Sequence, residues 1–327
     1  MKFKNILVIL NPENEKQYAL ARAVRLVNEQ NSDAPVKITT FMTVYDLSYE
    51  MSTLLSPEER HLMHQGVITQ RQKMIQPYFE KYKSPNIEFN SIVVWSNNEA
   101  EAAVSEIAKV NYDLVVKYTQ QESISSLIFT PMDWQLLRKC PIPIMLIRDG
   151  DWRHQRRILI AVNVADNDDN HILINKKLVY LGLDLADILE RGNIHLVTAY
   201  PPAPINMAID LPEFNSTDCS NSIRNQYLLN MKELRQKFGI DEAHTHVKEG
   251  FPEDVIPEVA KEIEAEIVVL GTIGRTGLSA ALLGNTAEQV INKLNCSLLA
   301  IKPNCSQHNK KADYNIEISF FIDLIIR

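Results

Sequence analysis

Glycine is scarce in this chain, 10 of 327 residues. Cysteine is scarcer, with four (Cys140, Cys219, Cys296, Cys305) and no close pair. That spacing excludes a disulfide framework and suits reduced, incidental thiols, so a cytoplasmic location is expected. Basic residues do not dominate: 34 Lys and Arg stand against 41 Asp and Glu, a net charge of −7. With no long basic run, non-specific nucleic-acid binding is excluded. No apolar run approaches the roughly 18–20 residues that span a bilayer, so no membrane segment is expected. The opening Met-Lys-Phe-Lys-Asn and its apolar continuation lack a small-residue cleavage site, which argues against a signal peptide.

What is present is an ordinary globular balance, 45% hydrophobic and 23% charged, in a chain long enough for two domains. Apolar runs alternate with helical patterns. Strands are expected at 6–10, 36–45, 87–95, 113–116 and 142–147, with helices at 15–30, 56–82, 100–110 and 132–139. Ser56-Pro57-Glu58-Glu59 carries strong helix-start chemistry: a capping hydroxyl, a proline at the first turn and carboxylates behind it. The alternation predicts a parallel sheet covered by helices on both faces.

A polar stretch, Arg148 to Arg157, then interrupts, and the pattern restarts. Arg157-Ile-Leu-Ile-Ala-Val-Asn163 echoes Asn5-Ile-Leu-Val-Ile-Leu-Asn11, Glu266–Leu270 echoes Asp113–Lys117, and Ile301-Lys302 echoes Ile147-Arg148. The chain reads as a tandem duplication, with domains at 1–150 and 151–304 and a tail at 305–327. In the second half, strands are expected at 156–163, 193–200, 243–248, 266–270 and 297–302. Helices are expected at 170–190, 220–238, 252–264 and 285–294.

The scarce glycines cluster. Gly271, Gly274, Gly277 and Gly284 follow the apolar run Ile267–Leu270, and Asn285-Thr286 opens the next helix. Glycine lets the backbone approach a ligand, and the first N–H groups of a helix attract an anion. Phosphate suits this place; a tight connection without a ligand is the alternative. The matching stretch of the first half, Tyr112 to Asp149, has no glycine. Side chains there should occupy the space a phosphate needs.

The spacing Gly271-x2-Gly274-x9-Gly284 in a tandem chain resembles the universal stress protein family over residues 1–304. The resemblance implies two Rossmann-like domains, each a five-stranded parallel sheet ordered 3-2-1-4-5. It implies ATP or a related nucleotide in the second domain, with no metal beyond a nucleotide-bound Mg. Ala161 and Asn163 would meet the adenine or ribose, and Leu270 and Gly271 the ribose and α-phosphate. Gly274, Gly284, Asn285 and Thr286 would cradle the phosphates. Arg275 either clamps a phosphate or is solvated. Two positions depart from the family pattern. Asn163, like Asn11, stands where the family carries Asp, and Asn285 where it carries Ser or Thr. An asparagine can still accept through its amide oxygen and can still cap the helix.

The implied role is a stress-response adaptor, for instance against DNA damage, and not a turnover enzyme. A slow ATP hydrolase is one alternative. A carrier of an apolar, lipid-like ligand is another, because the loops at Leu47–Leu55 and Ile205–Leu211 are rich in Met, Leu and Ile. Otherwise those loops should cover the interface between the halves. The two halves are expected to form a pseudo-dimer within one chain, and a homodimer is possible by the same analogy. His244 and His246 flank Thr245 on an expected strand and so share a face, and His61 and His64 lie one helical turn apart. Neither pair has a third ligand nearby in sequence. Cys140 and Cys296, each before a last strand, read as core residues.

Overall fold

The computed structural model describes residues 3–12, 14–30, 34–50, 55–119, 129–148, 156–165, 169–189, 192–202, 216–272 and 283–302. The first half runs β1 (Asn5–Ile9), α1 (Tyr18–Glu29), β2 (Val36–Val44), α2 (Leu47–Glu50), α3 (Pro57–Lys81), β3 (Ile87–Trp95), α4 (Glu99–Lys109), β4 (Leu114–Tyr118), α5 (Pro131–Lys139) and β5 (Ile144–Ile147). The second half runs β6 (Ile158–Ala161), α6 (Asp169–Ile188), β7 (Ile194–Tyr200), α7 (Ser216–Lys237), β8 (Thr245–Glu249), α8 (Pro252–Glu262), β9 (Ile267–Gly271), α9 (Asn285–Lys293) and β10 (Ser297–Ile301).

The strands form one sheet of ten, ordered β3-β2-β1-β4-β5-β10-β9-β6-β7-β8. Within each half the order is 3-2-1-4-5 and the neighbours are parallel. The central strands are apolar on both faces because both faces are covered. Along β1, Ile6 and Val8 enter one core and Leu7 and Ile9 the other. The first core takes its helical side chains from α1, α3, α6 and α7, the second from α4, α5, α8 and α9.

The halves join through their last strands. β5 and β10 pair antiparallel, Leu146 opposite Leu298 and Ile144 opposite Ala300. Both strands are wholly buried. Arg148 follows β5 and donates to the carbonyl of Leu294, at the end of α9. Lys302 follows β10 and donates to the carbonyl of Arg138, near the end of α5. Each half thus sets a cation on the negative end of the other half's last helix, where unsatisfied carbonyls collect.

Beyond shifts of a few residues at element ends, three differences from the sequence expectation stand out. Helix α7 begins at Ser216, four residues earlier than expected. A short 3-10 turn, Glu242–His244, precedes β8, held by Asp241 accepting from the N–H of Ala243 at 3.0 Å, so His244 is not on the strand. Part of the Met-rich loop of the first half is the helix α2, and it does not cover the seam between the halves. Glu50 of α2 accepts from the indole of Trp95 at 2.9 Å, and β3 is an outer edge of the sheet. Residues 51–54 and 203–215, and the tail from 303, lie outside the described residues.

Candidate functional site

In each half the strand order reverses beside the first strand, which leaves a crevice at the carboxyl ends of strands one and four. In the second half these are β6 and β9. Ala161 and Leu270 are buried at the two strand ends. Asn163 lies two residues past β6 and is exposed. Its backbone is gripped by Asn175 of α6, which accepts from the Asn163 N–H at 3.1 Å and donates to its carbonyl at 2.6 Å. The Asn163 amide oxygen accepts from the N–H of Ala165 at 3.0 Å. That bond uses one lone pair of the oxygen; the other lone pair and the amide NH2 remain for further partners.

Gly271 ends β9. A Cβ there would lie 3.2 Å from Ile174 and 3.6 Å from Leu178 on α6, so close helix packing accounts for this glycine. Gly284 is different. It is the N-cap of α9, at φ −68 and ψ 140, an extended conformation open to any residue. This corrects the expectation that Asn285 caps the helix. Asn285 is the first helical residue, it and Thr286 are exposed, and no side chain caps α9. Gly274 and Arg275 lie outside the described residues.

In the first half, a cavity of about 430 Å³ lies between the ends of β1 and β4 and the start of α5. Most of the glycine-free stretch expected to occupy the phosphate space, residues 120–128, lies outside the described residues. Lys117 of β4 meets Asp133 at 2.7 Å, and the Asp133 side chain is wholly buried. Asp133 also closes a capping box with Thr130, accepting from the Thr130 N–H at 2.8 Å while its own N–H donates to the Thr130 hydroxyl at 3.3 Å. Sequence reading missed this pair. The pattern Thr-Pro-x-Asp signals the helix start, but nothing local signals the lysine.

The histidines also regroup. His195 of β7 and His246 of β8 share a hydrogen bond at 3.1 Å, and the His195 and His244 rings lie 4.5 Å apart. Burial first, then His244, His246 and Arg157, hold His195 well below its usual value, at about 4. His246 is also lowered, by burial and then by Lys248. Among the described residues no group of three side chains is placed to hold a metal ion. His64 stacks on Trp95 at 3.9 Å and meets Glu50 at 3.2 Å; it is not paired with His61. Cys140 and Cys296 are buried. No helix of the described residues is long and apolar enough to cross a membrane.

A model of the universal stress protein family matches residues 2–148 and again 156–302. The chain belongs to the universal stress protein family. It carries two copies of the family's domain, and the family is one of stress response. The chain is 67% identical over 304 residues to the Universal stress protein E homolog of Haemophilus influenzae, covering 93% of this chain and 98% of that one. It is 48% identical over 302 residues to Universal stress protein E of Escherichia coli, covering 92% and 94%. A crystal structure of a functionally unknown Pseudomonas aeruginosa protein shares the fold, with TM-score 0.68 at 22% identity, covering 92% and 93%.

Proposed function

We propose that this stress-response protein holds ATP or a related nucleotide in its second half and acts as a nucleotide-responsive adaptor. The observation that carries the reading is Gly284. Ser, Thr, Asn and Asp stabilise an N-cap by about 1 kcal/mol over a residue that cannot cap. Gly284 forgoes that bond in a conformation that does not require glycine. A bare N-cap leaves the first amides of α9 open to a phosphate, at the crevice where doubly wound sheets bind ligands. Asn163, two residues past β6, stands by the same strand ends and offers an amide donor and acceptor to a ribose or base. On this reading the protein is cytoplasmic. Any hydrolysis is slow, because no general base accompanies the loop in the sequence.

The test is Gly284→Val with isothermal calorimetry against Mg-ATP. The backbone at 284 accepts valine, so the fold should persist while ATP affinity falls at least about tenfold. Unchanged affinity in a folded variant would remove the α9 N-terminus from the site.

A further inference from the structure

Helix α3 spans 25 residues, and its two sides are unlike. The inner side is accounted for. Ile75 and Phe79 enter the core, His64 stacks on Trp95, and Arg60 and His64 meet Glu50 of α2 at 3.9 and 3.2 Å. The outer side turns one continuous row to solvent. At 3.6 residues per turn, Glu59, Gly66 and Lys73 align along that row, with Leu62, Met63, Thr69 and Gln70 alternating about them. All of these are exposed, Leu62 at 69%. Between Glu59 and Lys73 the row carries no charge.

Gly66 is the residue the fold of the chain does not explain. It is one of only 10 glycines and stands in mid-helix, where glycine is less stable than alanine because it has more backbone freedom to lose. A Cβ built there would meet nothing within 4 Å, so no contact inside the chain asks for glycine. What glycine offers is close approach of a second backbone. A charge-free centre with an exposed methionine also has the composition of an interface core.

The charges at the two ends of the row say which partner fits. About a two-fold axis at Gly66, an antiparallel copy of α3 sets residue 59 of one chain opposite residue 73 of the other, so Glu59 meets Lys73 twice. Leu62 then opposes Gln70, and Met63 opposes Thr69. The capping bond to the Ser56 N–H uses Oε2 of Glu59, which leaves Oε1 to a partner. The edges of β5 and β10 are consumed by pairing with each other, so a second copy must use another surface.

We propose that the outer side of α3 is a self-association face, on which a second copy of this chain packs its own α3 antiparallel, crossing at Gly66. The proposal does not depend on nucleotide binding.

The experiment is sedimentation equilibrium of the full chain at low ionic strength, with circular dichroism recorded for each variant. Wild-type protein should dimerise. Gly66→Leu should keep the fold, since the added side chain meets nothing within the chain, and should be monomeric. Glu59→Lys and Lys73→Glu should each weaken self-association at least about tenfold, because like charges then face each other at both ends. An equimolar mixture of these two variants should associate again, because each end of the mixed dimer pairs a lysine with a glutamate. Gly66→Leu and Lys73→Glu leave the helix cap intact, so their effect cannot come from a lost cap. The proposal is overturned if wild-type protein stays monomeric up to roughly 100 μM. It is equally overturned if folded Gly66→Leu dimerises as tightly as wild type, or if the mixture associates no more tightly than either charge variant alone.

Discussion

His195 shows how a titratable side chain is held neutral by its setting. It alternates onto the same face of the sheet as Val197, which belongs to the same buried cluster as Val255 and Ile256 of α8. His246 is paired opposite Val197 and follows it onto that face. Arg157 lies on the β6 side and Lys248 further along β8, where it meets Glu262 at 2.7 Å and Glu258 at 3.4 Å. A proton on His195 therefore loses water and meets neighbouring imidazoles and cations. Its folded value, about 4, lies below the ordinary 6.5, so the unfolded chain binds the extra proton first. Stability is complete above 6.5 and is lost as the pH falls from 6.5 toward 4. His246 acts in the same direction. Thermal unfolding followed by circular dichroism should show the melting temperature dropping across this window. His195→Leu should drop less over the same window. An equal drop in both proteins would mean that other groups set the acid sensitivity.

At the scale of elements, the helix starts were the most legible features, because their chemistry is local. Ser56 caps α3 and Glu59 reaches back to close the box, accepting from the Ser56 N–H at 2.8 Å. The hydrogen bonds from Ser56 hold the Glu59 carboxyl below its usual range. Ser56→Ala should cost about 1 kcal/mol in urea unfolding, the ordinary worth of such a cap. No measurable loss would show that the α3 N-terminus is frayed in solution. Pro131 and Pro252 stand at the first turns of α5 and α8 for the same local reason. The failures were of two kinds. His244 belongs to a turn because Asp241 caps it two positions along, a local signal that was missed, whereas α2 exists where Glu50 can reach Trp95, 45 positions along the chain. At the candidate site the glycine spacing was visible, but the reasons for individual glycines were not. Gly271 answers to Ile174 across a helix–strand contact, whereas Gly284 has a backbone conformation that any residue adopts. The engagement of Lys117 by Asp133 was likewise hidden, since it depends on β4 and α5 meeting in space.

The whole molecule is two copies of one pattern fused into a continuous sheet. The repeat was plain from the echoing strands, but not the antiparallel junction of β5 with β10. Apolar runs say that strands are buried and not which neighbour buries them. Beyond that junction, the halves are tied by charge. Arg138 meets Glu288 at 3.3 Å and Arg156 meets Glu29 at 3.5 Å, both partly exposed and worth little. Arg22 of α1 and Glu266 before β9 are another matter. They are 3.1 Å apart with side chains 0% and 3% exposed, and they are 244 positions apart in sequence. Desolvating such a pair is expensive, so its presence adds little net stability; losing one member leaves a buried charge behind. Glu266→Ala should therefore cost about 3–5 kcal/mol. The double replacement Arg22→Met with Glu266→Leu removes both charges and should recover most of that loss. Urea unfolding of the three proteins decides it. If the double variant is no more stable than Glu266→Ala, the loss comes from packing or from the other contacts of these residues. A recovery would place the cost in the buried guanidinium left behind when Glu266 is removed.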